Sequence, residues 1–188
     1  MKVLVIPEDP TLDQHILKPV VQRIFRDLNR KARVYVLQDP RLGSVSEALD
    51  KGKIGEILER HRMMDLFLLI VDRDGVRERQ DRVDARVAQA DEAGKTMLGC
   101  MAVEEVEVWA LALHRSEVGG SWDDVRNEVH PKEIYFDPFV KRNKWLEGLG
   151  RGRAQAMRSL AGNWKTLKSL CPELQHLEDE IAQWLADR

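Results

Sequence analysis

Carboxylates stand directly behind the short apolar runs of this chain. Lys2 to Ile6 is followed by Pro7-Glu8-Asp9-Pro10, Leu66 to Val71 by Asp72-Arg73-Asp74-Gly75, and Thr96 to Ala102 by Val103-Glu104-Glu105-Val106-Glu107. In extended backbone residues two apart point the same way, so Asp72 and Asp74 would lie on one side of the chain, about 7 Å apart. If Glu8 faces that pair, three carboxylates converge. Oxygen donors without His or Cys suit Mg²⁺ or Mn²⁺, which keep several waters and bind substrate phosphates directly, the setting of phosphoryl transfer. Three acids held together with no cation repel one another and raise at least one pKa, a penalty a divalent ion removes. Each acid alone has a plainer role, since Asp-Gly marks a turn and acids behind strands cap helices.

Holding these residues at one edge requires a particular fold. Lys2 to Ile6, Arg33 to Leu37, Leu66 to Val71 and Thr96 to Ala102 have the length and composition of strands. Between them, Ile16, Val20, Val21, Ile24 and Leu28 recur with a helical period, Val45 to His61 reads as a helical stretch, and a charged helix runs from about Arg77 to Ala93 and stops at Gly94. The alternation predicts an α/β protein with a mostly parallel, four-stranded, Rossmann-like sheet and helices on both faces. A core over residues 1–114 and a helical C-terminal extension over 115–188 make one domain, as a length of 188 residues suggests. In the strand order 2-1-3-4, Glu8 would sit beside Asp72 and Asp74 beyond the carboxyl ends of the strands, where such sheets bind ligands.

Composition narrows the function classes. With 43% hydrophobic and 33% charged residues the chain is neither disordered nor collagen-like. Its apolar runs fall far short of the roughly 18 residues that cross a bilayer, and Met1 opens onto a strand instead of a signal peptide, so a cytoplasmic location without membrane contact is expected. Cys100 and Cys171 form no CxxC, and the five histidines form no HExxH, which leaves no zinc-binding spacing. His114 and His130 are polar helpers at most. No GxxxxGK[ST] motif is present, so a nucleotide-driven step would need another protein.

The charge is unevenly spread. Residues 141–169 hold eight basic residues (Lys141, Arg142, Lys144, Arg151, Arg153, Arg158, Lys165, Lys168) against Glu147 alone, and residues 170–188 then hold five acids against Arg188. Trp145 and Trp164 lie within the basic stretch, and Gly148, Gly150 and Gly152 read as a flexible run that lets backbone approach a phosphate. Cations with interleaved aromatics can neutralise phosphates and stack bases, with Arg151, Arg153 and Lys165 as the nucleic-acid contacts. The alternative is a solvated face with its tryptophans in the core, or pairing with the acidic tail. Trp109 belongs to an apolar helical run and reads as core. Leu174, Leu177, Ile181, Trp184 and Leu185 give the last helix an apolar stripe, which is core or docks a partner.

The segments VLVIPED, LFLLIVDRDG and VEEVEVWALA resemble the Toprim domain shared by topoisomerases, primases, recombination proteins and the overcoming-lysogenisation-defect (OLD) nucleases. They are most similar to small stand-alone Toprim-like proteins related to the OLD nucleases, and the resemblance spans nearly the whole chain. It implies Glu8 as the motif glutamate, Asp72 and Asp74 as the metal-binding Asp-x-Asp, and Glu107, ahead of Val108-Trp109-Ala110-Leu111, as the later acid, with Glu104 and Glu105 close by. Two positions depart from the pattern: Asp9 stands where glycine is usual, and Leu12 where a further acid is expected, with Asp9 and Asp13 as the nearest substitutes. Tyr35 and Tyr135 have no nucleophile context of the topoisomerase kind. The resemblance therefore implies Mg²⁺- or Mn²⁺-dependent nuclease activity on DNA or RNA, with Glu8 as ligand or general acid/base. It also implies an ATPase partner, a role in phage defence, and room for a homo-oligomer. A catalytically silent regulatory or interaction module, and a small-molecule phosphohydrolase, are the other readings.

Overall fold

The computed structural model describes residues 1–188. Four strands, β1 (Lys2–Ile6), β2 (Arg33–Val36), β3 (Leu66–Asp72) and β4 (Met97–Ala102), form one all-parallel sheet in the order β2-β1-β3-β4. Parallel strands need crossovers, and helices supply them: α1 (Gln14–Asp27) joins β1 to β2, α2 (Val45–Ala48) and α3 (Lys51–Arg60) join β2 to β3, and α4 (Arg79–Glu92) joins β3 to β4. The expected single helix from Val45 to His61 is two. The Ser44 hydroxyl caps the first, and Asp50 starts the second by accepting the Lys53 N–H at 2.8 Å, a side-chain bond that competes with continuing the helix.

Strand alternation divides the interior in two. Val3, Val5, Leu66, Leu68 and Ile70 face α1 and the later helices, while Leu4, Ile6, Phe67, Leu69 and Val71 face α2 to α4. Strand β3 is buried along its whole length, as a central parallel strand covered on both faces must be. The chain then continues through α5 (Glu107–Ala112), α6 (Trp122–Asn127), a π-helical turn (Lys132–Phe136), α7 (Asp137–Arg142), α8 (Arg153–Ala156), α9 (Leu160–Leu170) and α10 (Pro172–Ala186). These later helices share a core with α1: Trp164, Leu167, Leu174, Leu177 and Ile181 are buried in the same cluster as Val20 and Ile24. The apolar stripe of α10 is thus largely interior. Trp109 is fully buried, with its indole N–H donating to Glu173 at 2.9 Å. No helix is long and apolar enough to cross a membrane.

Candidate functional site

Pairing of β1 with β3 brings the residues after both strands to one edge of the sheet. Glu8 follows β1 and Asp72 ends β3, so the pairing of these strands sets their carboxyl groups close enough to act on each other's titration. Asp72 is 9% exposed, and its Oδ1 also accepts the Val106 N–H at 2.9 Å, which fixes it against the start of α5. Burial raises the pKa of Asp72 well above the usual range, and the charges of Glu8, Glu107 and Asp13 add to the effect. Glu8 is likewise raised, chiefly by burial.

Asp13, one residue ahead of α1, joins this group. It is 7% exposed, and burial followed by the charge of Glu107 pushes its carboxyl up to about 8. Its Oδ2 accepts the Asp9 N–H at 3.1 Å, while Asp9 turns its own Oδ1 to the N–H groups of Thr11 and Leu12. Of the two substitutes the sequence offers for the acid absent at Leu12, Asp13 is therefore the one beside the cluster, and Asp9 shapes the loop.

The Asp-x-Asp segment is not extended. Asp74 has φ of 44° and Gly75 of 69°, so the chain turns straight after Asp72. The Asp-Gly turn signal prevails because Glu104 clamps it: the Glu104 carboxylate accepts from the Arg73 guanidinium and the Gly75 N–H, and the Glu104 carbonyl accepts the Arg73 and Asp74 N–H groups. Asp74 lies at the rim, 40% exposed, in an ion pair of 2.7 Å with Arg79, which also donates to the Asp72 carbonyl. Its charge still acts on Glu8.

The three glutamates after β4 separate by their partners. Burial would raise Glu104, but Arg73 and the Gly75 N–H together bring its carboxyl below the ordinary range. Glu105 accepts the Lys132 N–H at 2.7 Å, and burial pushes its carboxyl up to about 7. Glu107, 3% exposed, is the one whose charge reaches Glu8, Asp13 and Asp72, and it is ion-paired with Arg153. Arg153 is itself 2% exposed, so the structure places it inside the molecule instead of on the phosphate-binding surface anticipated for it. Lys132, at the first position of the π-helical turn, adds a half-exposed cation influenced by Glu107, Glu133 and Glu105, and nothing in its sequence context signals it.

Other anticipated contacts lie elsewhere. Trp164 is buried and donates to Glu178 at 3.1 Å, and Trp145 packs edge-on against His114 and Phe139, so neither offers a face to a base. His114 also donates its Nε2–H to the Ala156 carbonyl at 2.9 Å, and His130 is exposed. Lys168 pairs with Glu178 of the acidic last helix and with Asp27, the tail pairing weighed above, whereas Arg151 and Lys165 are exposed.

The donor chemistry of the cluster fits Mg²⁺ or Mn²⁺, ions commonly held by one or two carboxylates with waters completing the shell, because Glu8 and Asp72 are neighbouring oxygen donors with no basic side chain bonded to either. As the side chains stand, no three acids are arranged to hold an ion. The five main clefts are lined by other residues, so access is by the half-buried Glu8 and the rim at Asp74. The class these features define is an all-parallel α/β protein with a buried carboxyl pair at the carboxyl edge of its two central strands. Comparison with protein-family models, with curated proteins and with solved structures finds no match to any of them.

Proposed function

We propose that the protein hydrolyses phosphodiester bonds in nucleic acid, with Mg²⁺ or Mn²⁺ held by Glu8 and Asp72, in the manner that its resemblance to the Toprim-like nucleases implies. The observation that carries this reading is the juxtaposition of two acids that follow adjacent strands, buried Asp72 and half-buried Glu8, with no basic side chain bonded to either carboxyl group. Two acids whose ionisation is opposed by burial have a clear use if a divalent cation supplies the compensating charge. Such an ion, when bound, polarises a phosphoryl oxygen and acidifies a water. The chain's own groups would do the rest. Val106 N–H and the turn clamped by Glu104 keep Asp72 in place, and Arg79 orients Asp74 at the rim. Asp13, protonated at neutral pH, has its Oδ2 occupied by Asp9 and keeps Oδ1 for a proton to give up. Lys132, partly exposed and 3.5 Å from Glu133, feels the charges of Glu107 and Glu105, and it would meet a phosphate oxygen.

A second reading rests on a different observation. Asp74, Glu104 and Glu107 all carry arginine partners, and no three acids form an ion-holding group, as suits a catalytically silent interaction module that keeps the fold. An assay of DNA and RNA cleavage with Mn²⁺, comparing wild type and Asp72→Ala, separates the two. Hydrolysis is expected in the wild type, with a loss of at least about 100-fold in the variant. Absence of cleavage with either ion and either nucleic acid would favour the module. DNA as substrate, an ATPase partner, self-association and a part in phage defence belong to the same proposal and rest on the resemblance alone.

A further inference from the structure

The basic stretch contains a loop whose construction suits one task. Leu149 is 72% exposed and Leu146 41%, two of the few large apolar side chains that the protein leaves in solvent. Around them Lys141, Lys144 and Arg151 are exposed and form no ion pair, in contrast to Arg153 and Lys168. Exposed leucine within a patch of cations is a surface made for an anionic partner that also has apolar faces.

The glycines do not make this loop flexible, contrary to the sequence reading. A Cβ at Gly148 would lie 1.8 Å from Gln155, one at Gly150 2.3 Å from the His15 ring, and one at Gly152 2.4 Å from Val140. At Gly148 the Gln155 amide could swing aside, but at Gly150 and Gly152 the backbone is pressed onto its neighbours with positive φ, and there only glycine fits. Gly150, Arg151 and Gly152 all have positive φ, and the bend they form is tied by Gly148 N–H to Trp145 O at 2.8 Å and by Arg153 Nη1 to Gly150 O at 3.0 Å. Leu149 is thus held out on a stiff support. The same support is fastened to the acidic cluster twice, by the buried Arg153–Glu107 pair and by the contact of Gly150 with His15, two residues from Asp13.

Resting on the function proposed above, we infer that Leu149 is a wedge that enters between two bases of a nucleic-acid strand led across the acidic cluster, while Lys144 and Arg151 hold the flanking phosphates. Inserted leucines unstack a base step in this way, and unstacking frees a phosphate to turn toward a recessed site. With Trp164 buried and Trp145 partly buried against His114 and Phe139, Leu149 is the apolar group that this stretch presents most openly. An anionic membrane would attract the same chemistry, but two leucines on one loop give a bilayer little to hold.

The test uses the full chain carrying Asp72→Asn, which keeps an acceptor for the Val106 N–H and suppresses cleavage. It is mixed with DNA containing 2-aminopurine, whose fluorescence rises on unstacking. The parent should raise the signal several-fold. Adding Leu149→Ala should remove most of that rise with the salt dependence of binding unchanged, and adding Arg151→Ala should lower the salt slope by about one phosphate. The wedge is refuted if Leu149→Ala unstacks as well as the parent, if binding occurs with no rise at all, or if Leu149 governs binding to phosphatidylserine vesicles and not to DNA. Wild-type cleavage without Leu149-dependent unstacking removes the wedge and leaves the hydrolysis. Unstacking without cleavage does the reverse, and a lack of binding to DNA and to RNA alike removes both.

Discussion

Two sets of carboxylates share the carboxyl edge of the sheet and live under opposite conditions. Glu104, Asp74 and Glu107 each have an arginine, Arg73, Arg79 and Arg153 respectively. Glu8, Asp72 and Asp13 have mostly one another, and their carboxyls are raised by burial and mutual repulsion. The paired acids hold the chain: Glu104 clamps the turn after β3, and Glu107 ties the loop before α8 to the start of α5. The unpaired acids are shifted toward the protonated form, and a proton can be exchanged for a cation where a buried guanidinium cannot. Chemistry is therefore to be sought among the acids that lack an arginine.

The largest effect separating the two sets should come from Glu107→Gln. It leaves Arg153 buried with an uncompensated charge, and a guanidinium whose Nε already lacks a partner has nowhere to turn. Urea unfolding at pH 7 should show a loss of about 3–5 kcal/mol. A change below about 0.5 kcal/mol would mean that Arg153 finds solvent, and the distinction between the sets would blur.

Asp13→Asn should act in the opposite direction. The carboxyl titrates at about 8 in the folded protein, against roughly 3.9 in an unfolded chain. Between these values the native state binds the extra proton, so wild-type stability falls as pH rises from about 4 to about 8. The variant removes this slope and should be more stable than wild type at pH 9, by on the order of a few kcal/mol, with the difference small at pH 4. Parallel pH profiles for the two proteins would show that Asp13 is ionised throughout.

Arg73→Ala should cost least, about 1–3 kcal/mol, because Glu104 keeps the Gly75 N–H while losing its guanidinium. Binding of Mn²⁺ should be little altered in this variant. A marked loss of ion affinity would instead make the arginine-paired acids part of the ion site.

Much of the architecture was legible because it follows from local pattern. Alternating apolar runs and helical periods gave the four strands and their crossovers, and the right-handed winding of parallel units leaves few strand orders. The neighbourhood of Glu8 and Asp72 followed from that order. What escaped was what depends on side chains meeting across long sequence separations. Asp74 reads as a ligand by spacing, yet the Asp-Gly turn and Glu104, thirty residues on, swing it to Arg79. Arg153 looks like any other residue of a basic tract until its distant partner Glu107 is known. The tight glycines pack against His15 and Gln155, which no local signal reveals. Lys132 owes its place to a π-helical turn that carries no sequence signature.

The exchange of proton for cation can be measured directly by calorimetric titration of Mn²⁺ into wild type and Asp72→Asn, in two buffers of different ionisation enthalpy so that released protons are counted. The wild type should bind Mn²⁺ and release protons as it does so, because burial raises the carboxyls of Glu8 and Asp72, and the variant should lose both the binding and the release. Equal binding by the two proteins, or no binding by either, would contradict a metal site at this pair.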